Sequence, residues 1–521
     1  MAAGRHSPCG RCRFACADKL SGAPVFHLRA AGQEGRMSRT PMSKHLPLIV
    51  DLDGTLLVTD TLAEGFANAV LRKPLRTSGG LLTLLSGRAA FKRFIHETAE
   101  VDIHALPERA DLLPFLRSEK ARGRSIYLVT AATQSVADEI FKRYRELLDG
   151  AYGSSDSVNL KGRKKRDFLL ETFPDGFVYA GDSKADLAIW EEAGGIVFAG
   201  ASKAIQKKAR SFGKPVEQTF ENKRQNPLGV WLKALRLHQW SKNFLLFAPL
   251  FLSGQFMNPD SWGLAILGFF LMGMAASGTY LLNDLLDLSA DRRHRTKRNR
   301  PLAAGDLFVL HGLIAAPLMI AGALAAALYV SVPFGIGLLT YLGLSLSYSF
   351  GLKRVPMLDV SVLAALFSWR VALGAFIISQ PLSEWLLTFS VFFFFFSLSM
   401  AKRHVEVAST APGQQVRGRG YYAEDAPLTL GIGLSTAAAS IVIMVLFLAE
   451  SAFKSDIYAF QGLLWAVPVL IGFWLMRIWL LAHRGELHDD PVSFAVRDRI
   501  SLGLGLLLAL CFAGAVFLDA P

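Results

Sequence analysis

Asn283-Asp284-Leu-Leu-Asp287-Leu-Ser-Ala-Asp291-Arg-Arg-His294-Arg-Thr-Lys297-Arg298-Asn-Arg300-Pro301-Leu-Ala-Ala-Gly305 decides how the rest of this chain is read. On a helix, Asp284, Asp287 and Asp291 stand at i, i+3 and i+7, so three carboxylates share one face. Like charges so close repel unless a cation joins them. Oxygen donors that leave room for substrate phosphate suit magnesium. Asn283 lies beside them, and Lys297, Arg298 and Arg300 follow at once, able to hold phosphate oxygens directly. Acids gain nothing from the topology rule that gathers bases on the cytoplasmic side. The stretch therefore predicts a metal and diphosphate site rather than a solvated loop.

Moving outward, the stretch lies between apolar runs of ~20 residues, each long enough to cross a bilayer core of ~30 Å. Such runs recur near residues 236–257, 262–284, 307–330, 332–351, 358–380, 383–401, 427–449, 462–482 and 500–518. They predict an all-α, nine-helix transmembrane bundle over 235–521. Arg292 to Arg300, Lys353 and Arg354, Lys402, Arg403, Arg417 and Arg419, and Arg484, Arg497 and Arg499 all fall in alternate loops, so those loops are expected inside. The net charge of +13 is thereby a topology signal and does not point to nucleic acid. Hydrophobic residues make up 52% of the 521 and charged ones 19%, a balance unusual for a soluble protein of this length.

Before about residue 230 the pattern changes. Leu46-Pro-Leu-Ile-Val-Asp51-Leu-Asp53-Gly54-Thr55 reads as a buried strand ending in two carboxylates and a glycine turn. There Asp51 can attack phosphorus while Asp53 serves as general acid and base, with magnesium offsetting the negative charge. A second strand, Ser125-Ile-Tyr-Leu-Val-Thr130-Ala-Ala132, ends in a hydroxyl suited to a phosphate oxygen. A third, Phe177-Val-Tyr-Ala-Gly181-Asp182-Ser183, with Asp186 after it, ends in a carboxylate that can complete a magnesium shell. Between them, Asn159-Leu-Lys161-Gly-Arg-Lys164-Lys165 supplies the stabilising cation, Lys165 being favoured over Lys161. The segment from Thr61 to about Leu112 is expected to form a small helical cap.

These four motifs, in this order, resemble the haloacid dehalogenase-like phosphatase superfamily over about residues 45–215. That resemblance implies a doubly wound α/β fold with active residues at the carboxyl ends of parallel strands. It also implies a phospho-aspartate at Asp51, a proton donor in Asp53, and magnesium held by Asp51, Asp53 and Asp182. Residues 1–44 lack periodicity and a signal-peptide core and are expected to be a disordered extension. The four cysteines are too few for a disulfide scaffold, and Cys9, Cys12 and Cys16 lack the fourth ligand and structured frame of a zinc site. Residues 216–234, basic and then amphipathic around Trp231, predict an interfacial linker helix.

The NDxxDxxxDRxHxxKRxRPLAAG stretch resembles the UbiA superfamily of intramembrane prenyltransferases, over about residues 230–518. Membership implies that Asn283, Asp284, Asp287 and Asp291 bind magnesium and diphosphate in a cavity open to the cytoplasmic side and to lipid. Aromatic prenyltransferases of that family carry a second aspartate-rich motif after the sixth crossing. Here that loop reads Met400-Ala-Lys402-Arg403-His404-Val-Glu406, later Arg419-Gly-Tyr421, and the fourth crossing ends Tyr348-Ser-Phe-Gly-Leu-Lys353. With Gln239-Trp240-Ser-Lys242-Asn243, these segments resemble the decaprenyl-phosphate phosphoribosyltransferase branch. Arg370, costly in hydrocarbon, either meets the lipid phosphate in the cavity or pairs with a buried carboxylate such as Asp359.

The resemblances together imply a magnesium-dependent transferase that joins polyprenyl phosphate to phosphoribosyl pyrophosphate with loss of diphosphate. A fused phosphatase then acts on the product. Partners are a polyprenyl phosphate or diphosphate, a phosphorylated small molecule and membrane lipid, without nucleic acid. The expected location is a bacterial inner membrane with both sites on the cytoplasmic side. An aromatic polyprenyltransferase is the alternative, and a transporter or lipid-binding scaffold is an alternative of another class.

Overall fold

Apolar runs flanked by glycine turns give the amino-terminal half its sheet, as seen in a computed structural model describing residues 46–518 except 86, 100, 156–157, 223–225, 382–390, 417, 455–456 and 488–489. The expectations for residues 1–44, with Cys9, Cys12 and Cys16, and for Arg417 lie outside the described residues. Six strands, β1 (Leu48–Val50), β2 (Ile126–Thr133), β3 (Gly150–Ser154), β4 (Val178–Gly181), β5 (Gly195–Ala199) and β6 (Val216–Phe220), form one sheet in the order β3-β2-β1-β4-β5-β6. Every neighbouring pair is parallel. Strand order reverses between β1 and β4, so their carboxyl ends flank the crevice where open α/β sheets bind ligands.

Each face of the sheet is covered. Leu48, Val50, Leu128 and Ala180 pack on one side, and Ile49, Val129, Tyr179 and Phe198 on the other, the period-two alternation of a strand buried on both faces. The cap consists chiefly of helices Thr61–Arg72, Pro74–Gly80 and Arg88–Thr98. The segment expected to be a linker helix is split. Residues 216–220 form β6, with Phe220 buried, and only Pro227–Ala234 is helical. Short period-two alternation between charged residues hid that strand, and it extends the soluble domain past residue 215.

In the carboxy-terminal half, seven helices among the described residues are long and apolar enough to cross a membrane. They are Pro259–Leu286, Val309–Val330, Val332–Phe350, Leu358–Ile377 and those within Ala423–Lys454, Gln461–His483 and Arg499–Phe517. Two of the nine expected crossings are not among these seven. Residues 236–257 form no single helix: a 3-10 stretch Leu237–Phe247 leads into Ala248–Leu252 and a second 3-10 turn Gln255–Met257. Pro249 and Gly254, the latter at φ 72°, interrupt regular hydrogen bonding there. This broken segment lies tightly against Leu358–Ile377, since a Cβ on Gly374 would fall 2.1 Å from the Leu246 carbonyl oxygen. The sixth expected crossing lies partly outside the described residues, with Phe392–Ala408 helical beyond them.

The described residues pack as one compact unit. Ala67 and Leu71 of the cap share an apolar cluster with Leu281, Leu285, Leu302 and Val309 of the membrane half. The two halves are thus joined by core packing as well as by the chain.

Candidate active sites

Because β1 ends at Val50, Asp51 leaves the sheet at its carboxyl edge, level with the ends of β2 and β4. Its Oδ1 lies 2.8 Å from Lys165 Nζ, an ion pair in which the lysine is nearly inaccessible. Lys165 also donates to Tyr179 Oη at 3.1 Å, and that hydroxyl donates to Asp186 Oδ1 at 3.1 Å. Asp51, Asp182 and Asp186 bring carboxylate oxygens within 4.8 Å of one another, the only such set of metal-ligating side chains among the described residues. Three oxygens converging in that space fit a magnesium ion.

The electrostatics agree with a site that wants a divalent cation. Burial, and then the carboxylates of Asp186 and Asp51, push Asp182 up to about 7. Asp186 is also raised, by burial and by Asp51. Asp53, expected among the metal ligands, lies outside this converging set: its carboxylate accepts from Thr61 N at 2.8 Å and Thr61 Oγ1 at 3.3 Å. Burial, then the Asp60 carboxylate, raises it to about 7, close to the value a general acid needs near neutrality.

A cavity of about 550 Å³ contains Asp51, Asp53, Lys161, Lys165, Asp182 and Asp186 together. Thr130 does not line it. Fully buried, its Oγ1 accepts from Ala132 N at 3.0 Å, and Ala131, Ala132 and Thr133 form the wall instead. Lys92, from the cap, also faces the cavity and donates to Ala131 O at 2.7 Å. No motif spacing marks Lys92.

In the membrane half, the acidic face is interrupted. Helix Pro259–Leu286 ends just before Asp287, and a short helix Leu288–Arg293 follows. Asp284 and Asp291 are buried, whereas Asp287 is exposed. Arg300 Nη1 bridges the two buried acids, 3.0 Å from Asp284 Oδ1 and in contact with Asp291 Oδ2. Lys297 Nζ stands 3.9 Å from Asp291, and Arg298 is exposed. Asn283 donates to Ser349 Oγ at 3.1 Å. The donor types suit magnesium with a diphosphate co-ligand, yet the three carboxylates do not converge as those of the soluble half do.

Arg236 supplies a second cation to Asp284 and stacks over Tyr280, its charge centre 5.1 Å from the ring centroid. Its backbone is left-handed at φ 51°, a conformation that costs a non-glycine residue about 1–2 kcal/mol and tends to persist at functional sites. Sequence reasoning missed Arg236, since within a basic amphipathic stretch nothing separates it from its neighbours.

The remaining bases fall into two groups. Arg403 is fully buried, 2.8 Å from Asp359 Oδ2, and also pairs with Glu406. Arg419 lies 3.7 Å from the same carboxylate and donates to Tyr348 Oη at 2.8 Å and Lys353 O at 3.2 Å, while Tyr421 donates to Asp359 Oδ1 at 2.8 Å. Asp359 therefore belongs to Arg403, not Arg370. Arg370 instead donates to Tyr341 Oη at 2.6 Å, Leu366 O at 2.8 Å and Asn243 Oδ1 at 3.3 Å. In the second group, Lys242 and Lys402 lie 3.4 and 4.0 Å from Asp490.

The two sites meet at the cap. Glu64 accepts from Arg292 Nη2 at 2.6 Å and Nη1 at 3.2 Å, with both side chains buried, and Thr59 Oγ1 donates to it at 2.7 Å. Arg293 pairs with Asp102. The loop bearing the membrane acids is thus clamped to the cap beside the cavity around Asp51.

Comparison with known proteins finds the UbiA prenyltransferase family matching residues 244–502. The uncharacterized protein y4nM of Sinorhizobium fredii is 44% identical over 475 residues, 91% of this chain and 92% of that protein. A decaprenyl-phosphate phosphoribosyltransferase of Mycobacterium tuberculosis is 30% identical over 291 residues, 55% of this chain and 92% of that enzyme. A substrate-bound phosphoserine phosphatase structure is similar over 34% of this chain and 93% of its own, at 15% identity and a TM-score of 0.25.

Proposed function

This chain belongs to the UbiA prenyltransferase family, and from that premise we propose that its membrane half joins polyprenyl phosphate to phosphoribosyl pyrophosphate, after which its soluble half dephosphorylates the product. The observation that carries this reading is a phosphatase-type constellation, Asp51, Lys165 and Asp182, packed in one unit with the diphosphate loop. A phosphoribosyl product retains a phosphomonoester for that constellation to remove. A prenylated aromatic ring carries no such group, so the aromatic alternative leaves the soluble half without work. A transporter or scaffold would leave both carboxylate clusters unexplained. The similarity to a decaprenyl-phosphate phosphoribosyltransferase supports the same choice.

In the first reaction an oxygen of the lipid phosphate bonds to the anomeric carbon of the ribose. The bond from that carbon to diphosphate breaks, and the electron pair leaves with the diphosphate. Arg300 and Lys297, already against Asp284 and Asp291, offset the charge growing on the leaving oxygen. In the second reaction the Asp51 carboxylate bonds to the terminal phosphorus, and Asp53 gives its proton to the departing sugar oxygen. Water, deprotonated by Asp53, then cleaves the aspartyl phosphate and releases inorganic phosphate. Asp51, Asp182 and Asp186 would hold magnesium in the soluble half, and Asp284, Asp287 and Asp291 with diphosphate would hold it in the membrane half. Bound there, the metal neutralises phosphate and carboxylate charge.

Irreversible hydrolysis draws the first reaction forward. The protein is then a multi-pass enzyme of a bacterial inner membrane with both sites on the cytoplasmic side, as the bases in alternate loops suggest. Purified protein given phosphoribosyl pyrophosphate and polyprenyl phosphate should yield a dephosphorylated lipid-linked ribose, and Asp51→Asn should accumulate its phosphorylated precursor. The same dephosphorylated product from both proteins would reject the coupled scheme.

A further inference from the structure

The cavity around Asp51 is not made by the soluble half alone. Phe308, the residue that starts helix Val309–Val330 of the membrane half, lines it. That helix is long and apolar enough to cross a membrane and leaves Ile314, Leu318 and Leu328 exposed, so its outer face is suited to lipid. Val58, Leu62, Ile95, Val101 and Ile103 line the same cavity. Its volume of about 550 Å³ falls within the range that encloses ligands of drug size, larger than a pentose phosphate needs.

The chain leading into that helix is held against the cap from several sides. Gly305, at φ 80°, lets the chain turn so closely on the soluble half that a Cβ there would lie 3.2 Å from Val58 Cγ1 and 3.5 Å from Pro107 Cγ. The buried Glu64–Arg292 pair and the Asp102–Arg293 contact hold the cap to the preceding loop. A phosphatase acting on a freely diffusing sugar phosphate has no use for an aromatic wall contributed by a membrane-spanning helix. One acting on a phosphate tethered to lipid does, because the first isoprene units must leave the bilayer to bring the phosphate to Asp51, and apolar surface offsets that transfer.

We propose that Phe308 is a specificity-determining residue of the phosphatase site, forming with Val58, Val101 and Ile103 an apolar seat for the first isoprene units of a membrane-resident phosphomonoester. This rests on the reading of the soluble half as a phosphatase. The bond cleaved is the terminal phosphate ester, as already described, and the seat acts only on binding.

The test uses the full-length protein in lipid nanodiscs and two substrates: ribose 5-phosphate and farnesyl-phosphoryl-ribose 5-phosphate. Phe308→Ala should raise KM for the farnesyl substrate about tenfold, the scale of one lost aromatic contact, with kcat unchanged and ribose 5-phosphate kinetics unaltered. Phe308→Leu, retaining apolar bulk, should recover most of the loss. Retained transferase turnover in Phe308→Ala shows that the variant is folded. Equal changes on both substrates, or no change on either, would overturn the seat. Wild-type protein that hydrolyses neither ester would overturn the phosphatase reading beneath it.

Discussion

In the soluble half, Asp51, Asp182 and Asp186 crowd their oxygens within 4.8 Å of one another, with Lys165 paired to Asp51. In the membrane half, Asp284 and Asp291 are each met by guanidinium or ammonium: Arg236 and Arg300 for the first, Arg300 and Lys297 for the second. The contrast follows from where each acid sits. At the open edge of a sheet, surplus negative charge is tolerable and raises carboxyl groups toward neutrality until a divalent cation arrives. At the end of a membrane helix, a buried carboxylate without a partner is far more costly, so the chain supplies its own cations. One cluster has the shape of a metal site; the other, on the proposed function, would exchange protein cations for metal and substrate.

The largest expected effect separates the two halves outright. Asp51→Asn should lower hydrolysis of a phosphomonoester by on the order of 10⁴-fold or more, as loss of a nucleophile does, and leave transfer from phosphoribosyl pyrophosphate intact. Steady-state assays of each activity on the same preparation check this. Equal loss of both activities would mean that the sites are not chemically independent.

Next, Asp284→Asn should reduce transfer by about 10²–10³-fold, the scale of removing one preorganised electrostatic group, while hydrolysis of ribose 5-phosphate persists. Arg300→Gln probes the self-supplied cations more directly. It should raise KM for phosphoribosyl pyrophosphate by about 10-fold, the energy of one charge-assisted contact, with a smaller change in lipid KM. An unchanged KM would show that Arg300 only neutralises the acids and never reaches the substrate.

The smallest effect is one of pH. Asp53, raised to about 7, donates its proton only while protonated, so this group sets the alkaline limb of phosphatase kcat. The rate should fall as pH rises through about 7, approaching about tenfold per unit beyond it. Transfer, which uses no such acid in the proposed scheme, should lack this limb. A pH–rate profile of both activities decides the point.

Much of this was legible in the sequence where one strand carried both the fold and the chemistry. Each of β1, β2 and β4 is an apolar run that stops at a polar residue, so the strand and the site were announced by the same few positions. Even there, Thr130 accepts from Ala132 N within its own strand and does not line the cavity, because the side of a strand end is set by a single residue of register. What stayed hidden depends on partners far along the chain. Arg292 and Glu64 are 228 residues apart, and neither sits in a pattern that names the other. Arg403, expected among the phosphate-holding bases, is the partner of Asp359, and Arg370 donates to Tyr341 instead. The first apolar run satisfies composition but not continuity, since Pro249 and Gly254 break what hydropathy counts as whole.

The most direct test offers the purified protein, in bilayer nanodiscs with magnesium, two radiolabelled pairs: phosphoribosyl pyrophosphate with polyprenyl phosphate, and polyprenyl diphosphate with hydroxybenzoate. Label should enter lipid from the ribose donor only, and Asp284→Asn should lower it by about 10²–10³-fold. Label passing from polyprenyl diphosphate to the aromatic ring, with none from ribose, would contradict the assignment of the lipid as acceptor.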